Sequence, residues 1–264
     1  MCLVEKQPLI ETSIALADAA RDISLSYFRN EALSIENKDA AGFDPVTQAD
    51  REIEAKLREM LAELRPDDGI YGEEYDVKEG RSGITWIIDP IDGTRAFMAG
   101  QPSWATLIGV RDANDLVYGL VDQPFLNERF MGGWGSAIVS RGQSQKPLKT
   151  RKVDRLSEAI LYSTFPEVGT PEERAGFERV RDQVKLTRYG MDAYAYGMLA
   201  AGYIDIVIEA GLKLYDYAAP AALVRAAGGV VTNWQGGALD DSGQVIALAN
   251  PDLLDDVLRH LNGA

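Results

Sequence analysis

The spacing of apolar residues divides the chain into two halves with different rhythms. In the first half, apolar positions that recur every three or four residues predict helices over residues 9–28 and 47–64. The second of these helices opens with the sequence TQAD, which is similar to a capping box. A dense series of short apolar runs then predicts an antiparallel meander of strands. The predicted strands are residues 84–88, 104–110, 116–123, 128–131 and 137–140.

After about residue 150, predicted strands and helices alternate along the chain. The predicted strands are 159–163, 185–188, 204–209, 230–232 and 245–249, and the predicted helices are 171–184, 191–201, 216–227 and 251–261. This alternation is typical of an α/β arrangement. No flexible linker separates the two halves in the sequence. We therefore expect residues 1–148 and 149–264 to share an interface, with a functional site between them.

Composition and charge narrow the possible partners. Of 264 residues, 41 are acidic and 27 are basic, which gives a net charge of −14. Nucleic acid and anionic membranes attract basic patches, so neither is an expected partner. No window approaches the roughly 18 apolar residues of a membrane span, and no signal peptide is evident. Because Cys2 is the only cysteine, no intrachain disulfide can form, and we expect a cytoplasmic protein.

The histidine content limits the chemistry. His260 is the only histidine, and it lies four residues before the end of the chain. A Ser-His-Asp triad, a Cys-His pair and a zinc site of several histidines are therefore excluded. Any hydrolysis must rely on carboxylates, hydroxyls, lysines and metal ions.

Four acidic clusters are candidates for such chemistry. They are Asp44 and Asp50 around Thr47, Glu73 and Glu74 after a short apolar strand, Asp89 and Asp92 within DPIDGT, and Asp216 at a predicted helix start. Each cluster alone could be a turn, a helix cap or loop charge. The DPIDGT segment fits such an interpretation least well, because two carboxylates placed so close repel each other unless positive charge lies between them.

Magnesium ions would supply that positive charge, because they prefer oxygen ligands. Asp89 and Asp92 could bind neighbouring ions, with the carbonyl of Ile91 turned to the same side. The amides of Gly93 and Thr94 open a predicted short helix, whose first turn would receive an anion such as phosphate. Metal ions beside an anion site are an arrangement for hydrolysing a phosphate ester.

Three segments resemble the signatures of a known family. GEE, WIIDPIDGTRAF and YDYAAPAALVRAAGG, in this order and spacing, are similar to the motifs of the inositol monophosphatase family of magnesium-dependent, lithium-sensitive phosphatases. The resemblance covers nearly the whole chain. It implies an α/β (α+β) fold, a five-layered α/β/α/β/α sandwich, and usually a homodimer. It also implies two or three Mg²⁺ ions per site and a small phosphorylated substrate.

The resemblance assigns metal ligands to matching positions. Glu73 would bind metal and help to orient the attacking water, and Asp89 would bridge two ions. Ile91 would offer its carbonyl, while Asp92 and Asp216 would complete the coordination of the second ion.

Further roles follow from the same motifs. Asp50 would help to hold a weaker third ion, and Thr94 would hydrogen-bond the nucleophilic water. The amides of Gly93 and Thr94 would bind the phosphate. The resemblance thus names Glu73, Asp89 and Thr94 as catalytic. We expect direct in-line transfer of the phosphoryl group to metal-activated water, since no histidine is placed to form a phosphoenzyme.

The second half of the chain contains the segments that indicate which phosphate ester is the substrate. RYGMDAYAYGMLAAGYIDIVIEAGLKLYD, together with GLVDQPFLNERF, resembles the subgroup that hydrolyses L-histidinol phosphate in histidine biosynthesis. Asp192 and Glu209 could attract the amine and imidazole of that substrate. Asp192 could instead be a helix N-cap, and Arg95 could contact substrate or face solvent. Arg129 and Arg188 could be dimer, substrate or surface charges, and the surface is the default for either.

Other functions stay open. An inositol-1-monophosphatase or a broad sugar-phosphate phosphatase is the main alternative. Removal of a 3′-phosphate from adenosine bisphosphates is disfavoured, because such enzymes are usually longer. A non-catalytic metal- or RNA-associated regulator is disfavoured by the net charge of −14 and by the apparently intact set of ligands.

Overall fold

The computed structural model describes residues 6–30, 35–37 and 45–263, so Asp44 lies outside the described residues. The helices in these ranges are α1 (Lys6–Tyr27), α2 (Gln48–Leu64), α3 (Thr94–Met98), α4 (Pro171–Arg181), α5 (Tyr194–Ala200), α6 (Leu214–Ala226) and α7 (Leu254–Asn262). Short 3₁₀ turns occur at Leu156–Glu158 and Pro251–Leu253. None of the described helices has the length and apolar character needed to cross a membrane.

The strands fall into two large sheets and one small pair. They are β1 (Ile35–Asn37), β2 (Pro45–Thr47), β3 (Gly69–Gly72), β4 (Thr85–Asp92), β5 (Ala105–Arg111), β6 (Leu116–Gln123), β7 (Glu128–Gly133), β8 (Ser136–Arg141), β9 (Ser144–Pro147), β10 (Ile160–Ser163), β11 (Leu186–Tyr189), β12 (Ile206–Glu209), β13 (Val230–Thr232) and β14 (Val245–Leu248). The short strands β1 and β2 form the pair.

The first sheet contains seven strands in the order β3-β4-β5-β6-β7-β8-β9. From β4 to β9 every neighbouring pair is antiparallel, which confirms the predicted meander. Strand β3 pairs with β4 in parallel. Strand β4 continues to Asp92, whereas the apolar run predicted its end at residue 88. The acidic pair Asp89 and Asp92 is therefore part of a paired strand.

The second sheet contains five strands in the order β11-β10-β12-β14-β13. Strand β10 is parallel to both β11 and β12. Strand β14 is antiparallel to β12 and β13. The carboxyl ends of β10 and β12 consequently meet at one edge of the sheet, where loop residues from both strands come together.

The two sheets and their helices form five layers, as predicted. Helices α1 and α2 pack on one face of the first sheet, and α5 and α6 lie between the two sheets. Helices α4 and α7 share an apolar cluster with the second sheet and form the outer layer. Helix α6 contacts strands of both sheets, so the two halves of the chain pack closely together. The division of the chain into halves at residue 148 stays a prediction.

Local sequence explains how α2 begins. Thr47 and Asp50 form the capping box that begins α2, as the sequence TQAD predicted.

Arg129 was assigned to the surface, but that prediction is wrong. It is only 9 % exposed, and it pairs with Asp122 and Asp18, so that its charge is neutralised between the first sheet and α1. Arg188 is exposed, as expected.

Helix α6 approaches the first sheet very closely. A Cβ atom added to Gly119 on β6 would lie 2.0 Å from the carbonyl oxygen of Ala219 on α6. Gly109 on β5 likewise faces Ala218. Small residues on both surfaces let the helix lie against the strands and bring Asp216, in its first turn, close to β4.

We expect Gly119→Ala to destabilise the protein. The added methyl group would have to displace the backbone of α6, and overpacking of this kind costs about 1–3 kcal/mol. Chemical denaturation would measure the loss in the free energy of unfolding. Gly237→Ala is the matched control, because its added Cβ would meet Asn233 no closer than 3.4 Å. Equal stability of the two variants would contradict the close contact.

Candidate metal and phosphate site

A β-bulge in β4 determines how its two aspartates are arranged. Asp89 pairs with Leu107 and Asp92 with Ala105, so two residues of β4 lie opposite a single residue of β5. In a regular strand, residues three apart point to opposite faces. The extra residue of the bulge turns both carboxylates towards the same site. Pro90 is tolerated in the bulge, because a bulge removes one ladder hydrogen bond.

The first group of candidate ligands combines β4 with α6. A carboxylate oxygen of each of Asp89, Asp92 and Asp216 lies within 4.8 Å of the other two. Asp89 is 2 % exposed, and its Oδ1 atom has no hydrogen-bond partner within the part of the chain that the structure describes. Asp216 occupies the third position of α6, where it accepts a hydrogen bond from the backbone N–H of Lys213 at 2.6 Å.

The second group combines α2 with the segment after β3. Carboxylate oxygens of Asp50, Glu73 and Glu74 also lie within 4.8 Å of one another. Asp50 is buried, and one of its oxygens accepts the backbone N–H of Thr47 at 2.9 Å. The sequence had assigned Glu73 and Asp50 to the metal site, and the structure adds Glu74 to this group.

The start of α3 adjoins the first group. Gly93 is the N-cap residue, with a left-handed φ of 80°, and a Cβ atom there would lie 2.9 Å from the carboxylate of Asp192. A glycine is therefore required both by the backbone and by the space available. The hydroxyl of Thr94 donates to the carbonyl oxygen of Ile91 at 3.1 Å.

Asp192 lies beside this helix start. The alternative interpretation of Asp192, as the N-cap of the following helix, is wrong, because the N-cap of α5 is Ala193. Asp192 itself has a left-handed φ of 46°, and its carboxylate accepts a hydrogen bond from Ser103 Oγ at 3.5 Å. The backbone N–H of Ala193 donates to Asp92 at 2.6 Å, so the segment is joined directly to the first group.

Glu209 is held at the carboxyl edge of the second sheet. It ends β12, is 6 % exposed, and accepts hydrogen bonds from the Thr164 N–H at 2.7 Å and the Thr164 hydroxyl at 2.9 Å. Ser163 Oγ donates to the same carboxylate at 3.2 Å. These donors fix the orientation of the side chain.

A cavity of about 290 Å³ connects these elements. Its lining includes Asp92, Thr94, Arg95, Asp192, Glu209 and Asp216. The guanidinium of Arg95 lies 5.1 Å from the ring centre of Phe165, which also lines the cavity. The structure thus brings the predicted substrate residues and part of the predicted metal set to one cavity, while Asp50 and Glu73 form the neighbouring acidic group.

Burial and mutual repulsion raise the pKa values of these acids. Burial raises the pKa of Asp89 well above its usual range, and the nearby charges of Glu73 and Asp92 raise it further. Burial is also the main cause for Asp50 and Asp216, whose pKa values rise to about 7. The pKa of Asp92 is raised by burial and by the charge of Asp192.

Glu209 and Asp192, which also line the cavity, have raised pKa values as well. Burial raises the pKa of Glu209 to about 8, although hydrogen bonds from Thr164 oppose the shift. Burial raises the pKa of Asp192 to about 6, while Ser103 and the charge of Arg95 lower it.

The donor set fits hard metal cations. Every candidate ligand is an oxygen atom, and Oδ1 of Asp89, which has no hydrogen-bond partner among the described residues, is available to bind a cation. A bound cation would also reverse the pKa shifts, because positive charge favours the ionised carboxylates.

Sequence reasoning missed Ser163 and Thr164, which hold Glu209. A usable signal was present, because Ser163 ends the predicted strand 159–163, Thr164 follows it, and the predicted strand 204–209 ends at Glu209. Parallel strands bring their carboxyl ends to the same edge, where such polar residues meet. Ser103 carried no comparable signal in the sequence.

The paired acidic groups beside a cavity could hold metal ions, and comparisons with known proteins identify the class of protein. Residues 5–263 match the inositol monophosphatase family. The chain belongs to this family and is therefore a phosphoric monoester hydrolase.

Individual relatives cover nearly the whole chain. The bifunctional phosphatase IMPL2 of Arabidopsis thaliana is 37 % identical over 258 residues, which are 94 % of this chain and 73 % of the relative. A histidinol-phosphatase of Mycobacterium tuberculosis is 34 % identical over 253 residues, with 95 % and 96 % covered. The structure of an inositol monophosphatase from Zymomonas mobilis matches with a TM-score of 0.86 and 33 % identity, covering 98 % of this chain and 100 % of the other.

The raised pKa values predict how the stability of the metal-free protein depends on pH. The pKa values of Asp50 and Asp216 are about 7 in the folded protein, whereas an unfolded aspartate titrates near 3.9. Between these values the folded state binds more protons than the unfolded state, so stability falls as pH rises. In the presence of EDTA, we expect a higher Tm at pH 6 than at pH 8.

Added magnesium should raise the Tm most at pH 8, where the acids are ionised and able to bind it. Asp50→Asn is the control, because it removes one of the titrating groups and should reduce the difference between pH 6 and pH 8. A chelated wild-type protein that is more stable at pH 8 than at pH 6 would contradict the account.

Proposed function

We propose that this protein is a magnesium-dependent histidinol-phosphatase, which converts L-histidinol phosphate and water to L-histidinol and phosphate. The observation that carries the proposal is the acidic wall of the cavity. Asp192 and Glu209 line the same 290 Å³ space as Asp92 and Asp216. A substrate with its phosphate near the metal group would therefore place its organic part against two further acids. The similar histidinol-phosphatase of Mycobacterium tuberculosis supports this assignment.

The two acidic groups divide the proposed metal ligands between them. Asp89, Asp92 and Asp216, with the carbonyl of Ile91, would hold ions at the bulge of β4. Glu73 would share an ion with Asp89, whose pKa is raised by the nearby charge of Glu73. Asp50, Glu73 and Glu74 form the second group, which would hold a further, weaker ion. We propose two or three Mg²⁺ ions per site.

Bound magnesium would supply a nucleophile from water and neutralise charge on the phosphoryl oxygens. The protein's own residues then position the reactants. Thr94 donates its hydroxyl proton to Ile91, so its oxygen can accept a hydrogen bond from the attacking water. Glu73 would help to orient the same water. The amides of Gly93 and Thr94 would bind the phosphate at the start of α3.

The organic part of the substrate would lie on the open side of the cavity. Its ammonium and imidazole groups would meet Asp192 and Glu209, whose ionised forms they favour. Arg95 also lines the cavity and would contact the phosphate or the substrate.

Hydrolysis of inositol-1-phosphate or other sugar phosphates is the second candidate. It is supported by the Zymomonas mobilis inositol monophosphatase, whose sequence is 33 % identical. Carboxylates can accept hydrogen bonds from sugar hydroxyls as well as bind cations. The charge on Asp192 distinguishes the two candidate functions, because the cationic histidinol would need a negative charge to bind and a neutral sugar would not.

The direct test compares phosphate release from L-histidinol phosphate and myo-inositol-1-phosphate, with and without magnesium. We expect magnesium-dependent release and a clear preference for histidinol phosphate. In Asp192→Asn, which removes the charge and keeps the shape, KM for histidinol phosphate should rise about tenfold, since a hydrogen bond to a charged group contributes about 1.5–3 kcal/mol. KM for inositol phosphate should change much less.

Asp182→Asn is the matched control, because Asp182 is exposed at the end of α4 and outside the cavity. It changes the net charge equally and should leave both KM values unchanged. A wild-type preference for inositol phosphate would refute the proposed substrate. Equal effects of Asp192→Asn on both substrates would remove Asp192 from the substrate site.

The homodimer and the cytoplasmic location implied by the sequence stay predictions, as does the absence of nucleic acid or membrane partners.

A further inference from the structure

A completely buried acid, Glu54 on α2, lies against the segment that carries Glu73 and Glu74. Its side chain is 0 % exposed. A Cβ atom added to Gly72, the last residue of β3, would lie 1.9 Å from Glu54 Oε1. Gly72 therefore leaves the space that the Glu54 carboxylate occupies, immediately before the two candidate ligands.

Both carboxylate oxygens of Glu54 accept hydrogen bonds. Oε2 accepts from the backbone N–H of Glu74 at 2.7 Å, and Oε1 accepts from Nε of Arg58 at 2.8 Å. The first bond holds the peptide group that joins Glu73 to Glu74. The direction of both side chains depends on the orientation of that peptide.

Arg58 continues the same connection. Its Nη2 atom donates to the carbonyl oxygen of Tyr75 at 3.0 Å, and its guanidinium lies 5.6 Å from the centre of the Tyr75 ring. The Tyr75 hydroxyl donates to the carbonyl oxygen of Arg51 at 3.2 Å. The segment from Glu73 to Tyr75 is thus fastened to α2 at several points.

Helix α2 also carries the third member of this acidic group. Asp50 precedes Glu54 by four residues, so both side chains project from the same face of the helix. One rigid element therefore presents Asp50 and fixes the backbone from which Glu73 and Glu74 project.

The charge of Glu54 is itself informative. Burying a charged carboxylate is costly, and the ion pair with Arg58 offsets that cost for Glu54. A neutral glutamine could not replace Glu54 fully, because its single side-chain oxygen cannot accept from both Glu74 and Arg58 in the observed arrangement.

We infer that Glu54 is a positioning residue for the group Asp50–Glu73–Glu74: it sets the metal affinity of that group by holding the Glu73–Glu74 peptide against α2. This inference rests on the proposed metal dependence. Glu54 is not proposed to touch an ion. Hydrogen-bond partners behind metal ligands typically change metal affinity by about 10–100-fold when they are mutated.

The test is Glu54→Gln, studied by calorimetric titration of Mg²⁺ into the metal-stripped protein without substrate. We expect the dissociation constant of the weakest Mg²⁺ site to rise about tenfold or more. Phosphatase activity should need correspondingly more magnesium and should recover towards the wild-type kcat at saturating magnesium. A merely structural role would lower the Tm in EDTA and leave the magnesium affinity of the folded protein unchanged.

Glu59→Gln is the matched control. Glu59 lies on the same helix and pairs with Lys56 at 2.7 Å, but both side chains are exposed. This variant makes the same chemical change and should retain wild-type magnesium affinity. Gly72→Ala is an independent second variant, which displaces the Glu54 carboxylate without changing it. Its magnesium affinity should fall in the same way, and it decides the question if Glu54→Gln does not fold.

The outcomes separate the two claims. Folded variants at Glu54 and Gly72 that bind Mg²⁺ as tightly as the wild type would overturn this inference and leave the proposed function intact. A wild-type protein that binds no Mg²⁺ and releases no phosphate would overturn the proposed function and this inference with it.

Discussion

Asp89 is buried at the bulge of β4, and the nearby charges of Glu73, Asp92 and Asp216 raise its pKa. Burial and repulsion from neighbouring carboxylates favour the protonated forms of Asp89, Asp92 and Asp216, so their ionised forms need a counter-charge. Bound cations would supply that counter-charge. The same carboxylates that destabilise the metal-free protein at neutral pH would then stabilise the loaded one. Metal binding and the stability of the fold are in this way linked.

The layered fold brings these acids together from distant parts of the sequence. The first sheet supplies Asp89 and Asp92, α2 supplies Asp50, and the middle layer supplies Asp216. The closeness of α6 to the sheet depends on small residues such as Gly119, and Ala193 connects the second half directly to Asp92. The substrate cavity forms where the carboxyl ends of β10 and β12 meet this centre. The site is therefore a product of the interface between the layers.

Much of this arrangement was predictable from sequence, because it depends on local periodicity and on residue type. The meander, the alternating second half and the capping box at Thr47 and Asp50 were predicted in this way. The bulge in β4 was not, since it arises from pairing with β5. The alternative role of Asp192 as a helix cap and the default surface position of Arg129 were wrong, because contacts with Gly93 and Asp122 override local preference. Such long-range contacts leave no periodic signal.

The most direct test of the central claim is a crystal structure of the protein with Mn²⁺ in place of Mg²⁺, in which anomalous scattering locates the ions. The account predicts strong anomalous peaks on both sides of Asp89, one next to Glu73 and the other next to Asp92 and Asp216. A weaker peak at Asp50 would be consistent with a third ion. An acidic centre without any Mn²⁺ peak at saturating metal, with the carboxylates protonated at neutral pH, would contradict it.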